Sequence, residues 1–278
     1  MKILVVDAYN MIHRSRFGFG SGDHSIVFNF FRSLKSEIAR HESDLVYVVS
    51  EGRPNHRFEI NKDYKGQRKR IADDGFHRQK NEILSLCHSF PFVFARHPHY
   101  ECDDVIGHIC TKLHREDDVT IVSSDSDFIQ LLENETVKLW NPVKKKFIDK
   151  WPVDYVTWKS LKGDATDNIP GVKGIGEKRA FALCESDTTL NDFLNSDPQK
   201  REVFESAKKQ IKLADIDDHC SLWEMSSNTF DEAYIKNTFT EFEFKTIIGK
   251  SWYKWKDMME ALNDNLQRKI NGSATDIT

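Results

Sequence analysis

The chain has 278 residues, a formal net charge of −4 and five cysteines, Cys87, Cys102, Cys110, Cys184 and Cys220. That length allows a sizeable core and points to two domains, while an odd number of scattered cysteines without a C-x-x-C pair excludes a disulfide framework or thiolate metal site and indicates a reducing compartment. The first apolar run ends after Val6, too short for a signal sequence, and no later run reaches membrane-spanning length, so a soluble cytoplasmic protein with no membrane contact is expected.

Residues 3–7 read as an apolar strand ending in a carboxylate, Asp7. A glycine-containing loop over residues 17–22 precedes Ile26, Val27, Phe30, Phe31, Leu34 and Ile38, which recur at helical spacing. Residues 45–49 form a second strand, followed closely by Glu51, and residues 92–95 a third, leading through Pro98 to Glu101. Val105, Ile106, Ile109 and Leu113 mark a helix, and residues 119–122 form a fourth strand running into Asp125 and Asp127. Apolar strands separated by helices imply an α/β fold with a mainly parallel sheet, whose ligands bind beyond the carboxyl ends of the strands. All four strands deliver carboxylates to that edge.

Residues 137–140 and 147–149 suggest a hairpin closing a first domain of residues 1–150, and Trp151-Pro152 opens a mainly helical domain of residues 151–278. Trp252, Tyr253 and Trp255, with Met258, Met259 and Leu262 at helical spacing, are expected in its core.

The groups Glu101-Cys102-Asp103-Asp104 and Asp125-Ser126-Asp127 are the most informative features. Carboxylates packed a few ångströms apart repel and take up protons unless cations stand between them. A hard divalent-metal site is therefore expected; solvated acidic turns are the bland alternative. Oxygen donors suit magnesium or manganese rather than zinc, and Cys102 cannot compete for a hard cation. His97 and His99 are expected as solvent-exposed loop residues.

From Arg53 to Lys80 there are nine basic residues against four acidic ones, a local charge of +5 that suits a polyanionic partner or, alternatively, makes a solvated helix face. Residues 66–80 are expected to lack fixed structure without that partner, because like charges crowd there. The segment from Gly163 to Lys178 holds Gly171, Gly174 and Gly176 between two helices. These glycines allow the backbone to approach a ligand closely, and the next helix start offers N–H groups to phosphate, with Lys173, Lys178 and Arg179 adding positive charge.

Asp7 after the first strand, Tyr64-Lys65-Gly66-Gln67-Arg68, Glu101-x-Asp103-Asp104, Ser124-Asp125-x-Asp127 and Gly163-Asp164-x-x-Asp167-Asn168-Ile169-Pro170-Gly171-Val172-x-Gly174-Ile175-Gly176 together resemble the 5′-nuclease or flap endonuclease family over roughly residues 1–185. Bacteriophage 5′→3′ exonucleases and the 5′-nuclease domain of bacterial DNA polymerase I are the members it is most similar to. The resemblance implies a PIN-like sheet flanked by helices, a gateway and helical arch over about residues 57–100, and a helix–three-turn–helix over about 155–186. It implies a two-metal site of Asp7, Glu51, Glu101, Asp103, Asp104, Asp125, Asp127, Asp164 and Asp167, where Glu51 replaces the family's usual Asp, holding two magnesium ions for which manganese may substitute. A potassium ion on the glycine-rich turn is implied as well.

Among these residues, Asp7, Asp104, Asp125, Lys65 and Arg68 are the expected catalytic set, the two cations facing the charge that develops on the scissile phosphate. Arg57, Tyr64, Lys65, Arg68, Lys69, Arg70, Gly171, Lys173, Gly174, Gly176, Lys178 and Arg179 are the expected DNA contacts, with Tyr64 offering a face on which an unpaired base can stack. The implied substrate, met by a monomer, is DNA with a duplex and a 5′ flap or end, RNA–DNA hybrids and primers included. A PIN-like ribonuclease shares the acid cluster but typically lacks the glycine-rich segment, and a catalytically silent nucleic-acid-binding protein would be weakened by so many anions.

Overall fold

A computed structural model describes residues 1–20, 22–68, 73–217 and 222–273. The strands are β1 (Lys2–Asp7), β2 (Leu45–Val49), β3 (Val93–Arg96), β4 (Asp118–Val122), β5 (Val137–Asn141), β6 (Lys146–Ile148), the short pair β7 (Gly163–Asp164) and β8 (Ile169–Pro170), and β9 (Glu224–Ser227). The main sheet has the order β6-β5-β4-β1-β2-β3-β9. Its five inner strands are parallel, and the two edge strands, β6 and β9, run antiparallel to their neighbours.

Successive residues of the inner strands point to opposite faces, and both faces are covered, so the strands are apolar throughout. Ile3, Val5, Tyr47 and Val49 join one core, and Leu4, Val6, Val46 and Val48 the other. On the second face lie α1 (Ala8–Ser15), α2 (Ser25–His41) and, beyond the short α3 (Asn55–Ile60), α4 (Asp74–Cys87). On the first face lies α5 (Cys102–His108), continued by a π-helical turn at Ile109–Leu113. A 3-10 helix at Asp127–Glu133, α6 (Tyr155–Lys162), α7 (Glu177–Cys184), α8 (Asp187–Asn195) and α9 (Pro198–Ile211) complete that side.

The described residues from Asp73 onward in the region expected as an arch pack against the body. Within it α4 lies on α2, burying Phe76, Gln79, Ile83 and Leu86, and Gln79 Oε1 accepts a 2.8 Å hydrogen bond from the Ile26 amide. The helix already begins at Asp74 because Asp73 caps it, accepting from the Phe76 amide at 3.1 Å. That corrects the expectation of an unstructured segment for residues 74–80, while residues 69–72 of it lie outside the described residues.

The chain after residue 150 shares the cores of the first half. Strand β9 pairs with β3, and α10 (Glu232–Glu241), α11 (Lys245–Ile248) and α12 (Trp252–Ser273) cover the same face as α2. Trp252 and Trp255 are buried as expected, whereas Tyr253 is exposed. The expected boundary at residue 150 therefore does not separate two cores. Trp255, 1 % exposed, packs against Phe31, Phe90 and Phe239. Trp255→Ala is expected to lower stability by about 3–5 kcal/mol, read from urea unfolding of the whole chain. A change confined to a separate C-terminal transition would contradict the shared core.

Candidate active site

Between β1 and β4 the strand order changes direction, and in open sheets the crevice at such a point is where ligands bind. Asp7 ends β1 there. Its Oδ1 accepts from the Asn10 amide at 2.9 Å, capping α1, and its Oδ2 accepts from Ser123 Oγ at 2.9 Å. Asn10 Nδ2 in turn donates to Ser124 Oγ at 2.8 Å, tying the start of α1 to the end of β4.

Glu101 caps α5, which places Asp103 and Asp104 in its first turn, where the positive end of the helix favours carboxylates. Ligand atoms of Asp7, Cys102 and Asp103 lie within 4.8 Å of one another. Burial pushes the Asp7 carboxyl up, with Asp125 adding like charge. The same cause holds Asp103 well above the usual carboxylate range, aided by Asp125, Asp7 and Glu51. Glu51 is pushed up to about 7 by burial and by Glu101. Carboxyls that retain protons in this way mark a cluster short of positive charge. With oxygen donors predominating, Asp7, Asp103 and Asp125, with Glu51 nearby, fit a hard divalent cation. The Cys102 thiol is buried, donates to Val49 O at 3.4 Å and Asp7 Oδ1 at 3.6 Å, and is raised well above its ordinary value by burial and Asp7.

The other carboxylates already face protein cations. Arg57, expected as a DNA contact, is 3 % exposed. Its guanidinium grips Asp104 through two bonds of 2.5 and 2.7 Å, reaches Glu101 Oε2 at 2.9 Å and donates to Gln210 O at 2.8 Å. Asp104 is fully buried, and its Oδ1 also accepts from the Ala214 amide at 2.8 Å. In this structure Asp104 pairs with Arg57, and Arg57, expected as a DNA contact, is withdrawn from solvent. Charge complementarity inside the fold, invisible in a linear basic run, is the reason.

Tyr64 is likewise 4 % exposed, packed with Val156, Ile169, Ala207 and Ile211. Its hydroxyl donates to Glu101 Oε2 at 2.8 Å, so its ring offers no open face for a base. Lys65 pairs with Glu101 and stands 3.8 Å from Asp167, and Arg68 pairs with Asp167 from a half-exposed position. Lys69 and Arg70 lie outside the described residues.

Lys159, which the sequence analysis does not single out, stands among the acidic residues. From the buried face of α6 its ammonium contacts Asp127 and, at 2.7 Å, Asp164. Burial pushes Asp127 up to about 6 against the pull of Lys159, with Asp125 adding like charge. Burial acts to raise the Asp164 carboxyl, but the bond and charge of Lys159 together with the Thr166 and Asp167 amides hold it below its ordinary value. The signal was a lysine inside a helix whose neighbours Trp158, Ser160 and Leu161 are all core residues. A crevice of about 280 Å³ lies here, lined by Arg68, Asp125, Asp127, Lys159, Asp164 and Asp167 among others.

The glycine-rich segment divides into an inner and an outer part. A side chain at Gly171 would strike the backbone of Lys162 and Gly163, and Gly163 has φ +78°, so these glycines permit close packing of β7 and β8 rather than approach of a ligand. Gly174, at φ +78°, and Gly176 face open space, and Lys173, Lys178 and Arg179 are exposed beside them. Val172, Ile175 and Ala180 anchor the turn from beneath. His97, expected at the surface, is buried with its ring against Tyr100 and Trp223, while His99 is exposed.

Residues 2–157 match the model of the 5′-3′ exonuclease N-terminal, resolvase-like domain. The chain belongs to the 5′-3′ exonuclease family. A thermostable DNA polymerase I of Thermus filiformis is 32 % identical over 235 residues, which cover 80 % of this chain and 28 % of the polymerase. The chain thus spans under a third of such relatives. A 5′-3′ exonuclease of Mycoplasmopsis pulmonis is 28 % identical over 226 residues, covering 76 % of this chain and 75 % of that protein.

Among solved structures, T5 5′-exonuclease with bound divalent metal ions (zinc) superposes with TM-score 0.61 at 22 % identity, covering 77 % of this chain and 86 % of that one. Flap endonuclease-1 from Methanococcus jannaschii gives 0.60 at 16 % identity, covering 96 % and 93 %. Both share the fold of a mostly parallel sheet flanked by helices. No helix among the described residues is long and apolar enough to cross a membrane.

Proposed function

We propose that this family member is a divalent-metal-dependent, structure-specific nuclease that hydrolyses phosphodiester bonds in DNA with a duplex and a free 5′ end, as exonuclease and flap endonuclease, with primer RNA among its substrates. The observation that carries this reading is the grouping of Asp7 and Asp103, whose ligand atoms lie within 4.8 Å of each other, with the like-charged Asp125 beside them, next to a crevice lined by Asp125, Asp127, Asp164 and Asp167. Asp7, Asp103 and Asp125 would hold the first magnesium ion, or manganese in its place. Asp127, Asp164 and Asp167 would take the second with the Lys159 ammonium displaced. Bound ions supply an activated water and charge stabilisation for an in-line displacement.

The chain's own residues do the rest. Lys65 and Arg68 balance Glu101 and Asp167 in the free protein and turn to the phosphate when it enters. Arg57 holds Asp104 and Glu101 so that the first turn of α5 keeps its orientation. Lys173, Lys178 and Arg179 grip duplex phosphates at the start of α7, where backbone N–H groups point outward. The carbonyls of residues 171–176 are the candidate seat of a potassium ion.

A 5′-labelled flap substrate tests this directly. Cleavage near the junction with magnesium, and none with a chelator, is the expected result. Binding without cleavage would favour a silent binding protein, and cleavage of single-stranded RNA alone a PIN-like ribonuclease.

A further inference from the structure

The segment that carries Lys65 and Arg68 meets the segment that carries Asp164 and Asp167 along a narrow seam, and nearly all the hydrogen bonds across it converge on two residues. The Lys65 amide donates to Asp167 O at 3.0 Å. Asn61 Nδ2 donates to Asn168 O at 2.9 Å, Gln67 Nε2 donates to Asn168 Oδ1 at 3.0 Å, and Asn168 Nδ2 donates to Asp63 O at 3.0 Å. Asn168 thus engages Asn61, Asp63 and Gln67, which bracket Lys65 on both sides.

Two residues along this seam occupy the left-handed region, Lys65 at φ +54° and Asn168 at φ +58°. Asn tolerates that conformation, but a long side chain such as Lys costs energy there and is kept only where its surroundings over-determine it. The seam supplies that constraint. Immediately beyond it Ile169 is buried in the cluster that holds Tyr64, and Gly171 begins the turn toward the exposed lysines.

We infer that Asn168 is a positioning residue, a clamp that registers Lys65 against Asp164 and Asp167 and so links the glycine-rich turn to the lysine facing the scissile phosphate. The inference rests on the nuclease function proposed above. Asn168 touches neither substrate nor metal in this role; it acts through Lys65.

Two measurements test it. In hydrogen exchange on the whole protein, Asn168→Gly keeps the left-handed backbone but deletes the side-chain bonds. The amides of Lys65 and Gly66 should exchange about 10- to 100-fold faster, as expected for losing two such hydrogen bonds, while those of β1 and α6 stay unchanged. Unchanged exchange at Lys65 overturns the clamp, whatever the enzyme does.

In single-turnover cleavage of the flap substrate, Asn168→Gly should slow the chemical step about tenfold with duplex affinity in calcium within about twofold of the parent. In a Lys65→Ala background the same substitution should cost less than about twofold, because the group it positions is gone. Full, independent losses in both backgrounds overturn the coupling. Rescue by Asn168→Asp, which keeps the acceptor for Gln67, should be partial. A parent protein that cuts no flap at all refutes the nuclease reading, and the exchange result still decides the clamp.

Discussion

Asp103→Asn is expected to abolish flap cleavage, with a loss of about 10³-fold or more if the residue helps hold an ion that contributes several kcal/mol to the transition state. The same substitution should make the metal-free protein more stable, by roughly 1–3 kcal/mol, since it relieves repulsion that holds several carboxyls on their protons. The pH dependence has a definite sign. Carboxyls whose folded pKa is raised, such as Glu51 at about 7 against an ordinary 4.5, bind more protons folded than unfolded. Their contribution favours folding fully below pH 4.5 and is lost as the pH rises to about 7. Thermal melts without metal should therefore show a shallower decline over that window in the variant than in the parent. Magnesium-dependent cleavage at the parent rate would remove Asp103 from the site, and an unchanged metal-free melting profile would remove the repulsion.

Arg57→Ala is expected to destabilise the protein by about 3–5 kcal/mol. The substitution strands Asp104 and Glu101, 0 % and 2 % exposed, without the guanidinium that balances them. Replacing the pair together, Arg57→Met with Asp104→Leu, should recover most of that loss, because apolar partners of similar volume need no compensation. Urea unfolding of the three proteins measures it. An Arg57→Ala protein as stable as the parent, with weakened DNA binding, would return Arg57 to the substrate interface.

The placement of the acidic residues was largely legible in the sequence. Strand–helix alternation fixes a parallel sheet, and a carboxylate directly after an apolar strand must lie at its carboxyl edge; Asp7 and Asp125 follow from that alone. The four inner strands before residue 125 match their expected positions to within a residue or so. Helix α1 was missed, since eight residues between Asp7 and the glycine loop carry too short an apolar pattern to stand out. The return of β9 to the sheet has no local signal, because it depends on a pairing partner more than a hundred residues earlier.

Which charge meets which is another matter. Arg57, Tyr64, Lys65 and Arg68 look alike in a basic run, yet Arg57 and Tyr64 are interior and Arg68 is half-exposed. Lys159 gave no motif at all, although it neutralises two of the acids. Local periodicity and motif order by themselves determined the sheet, the acidic edge and the family. The tertiary structure alone decided which carboxylates are committed to protein cations and which remain short of positive charge, because ion pairing and burial depend on distances between segments that no local pattern encodes.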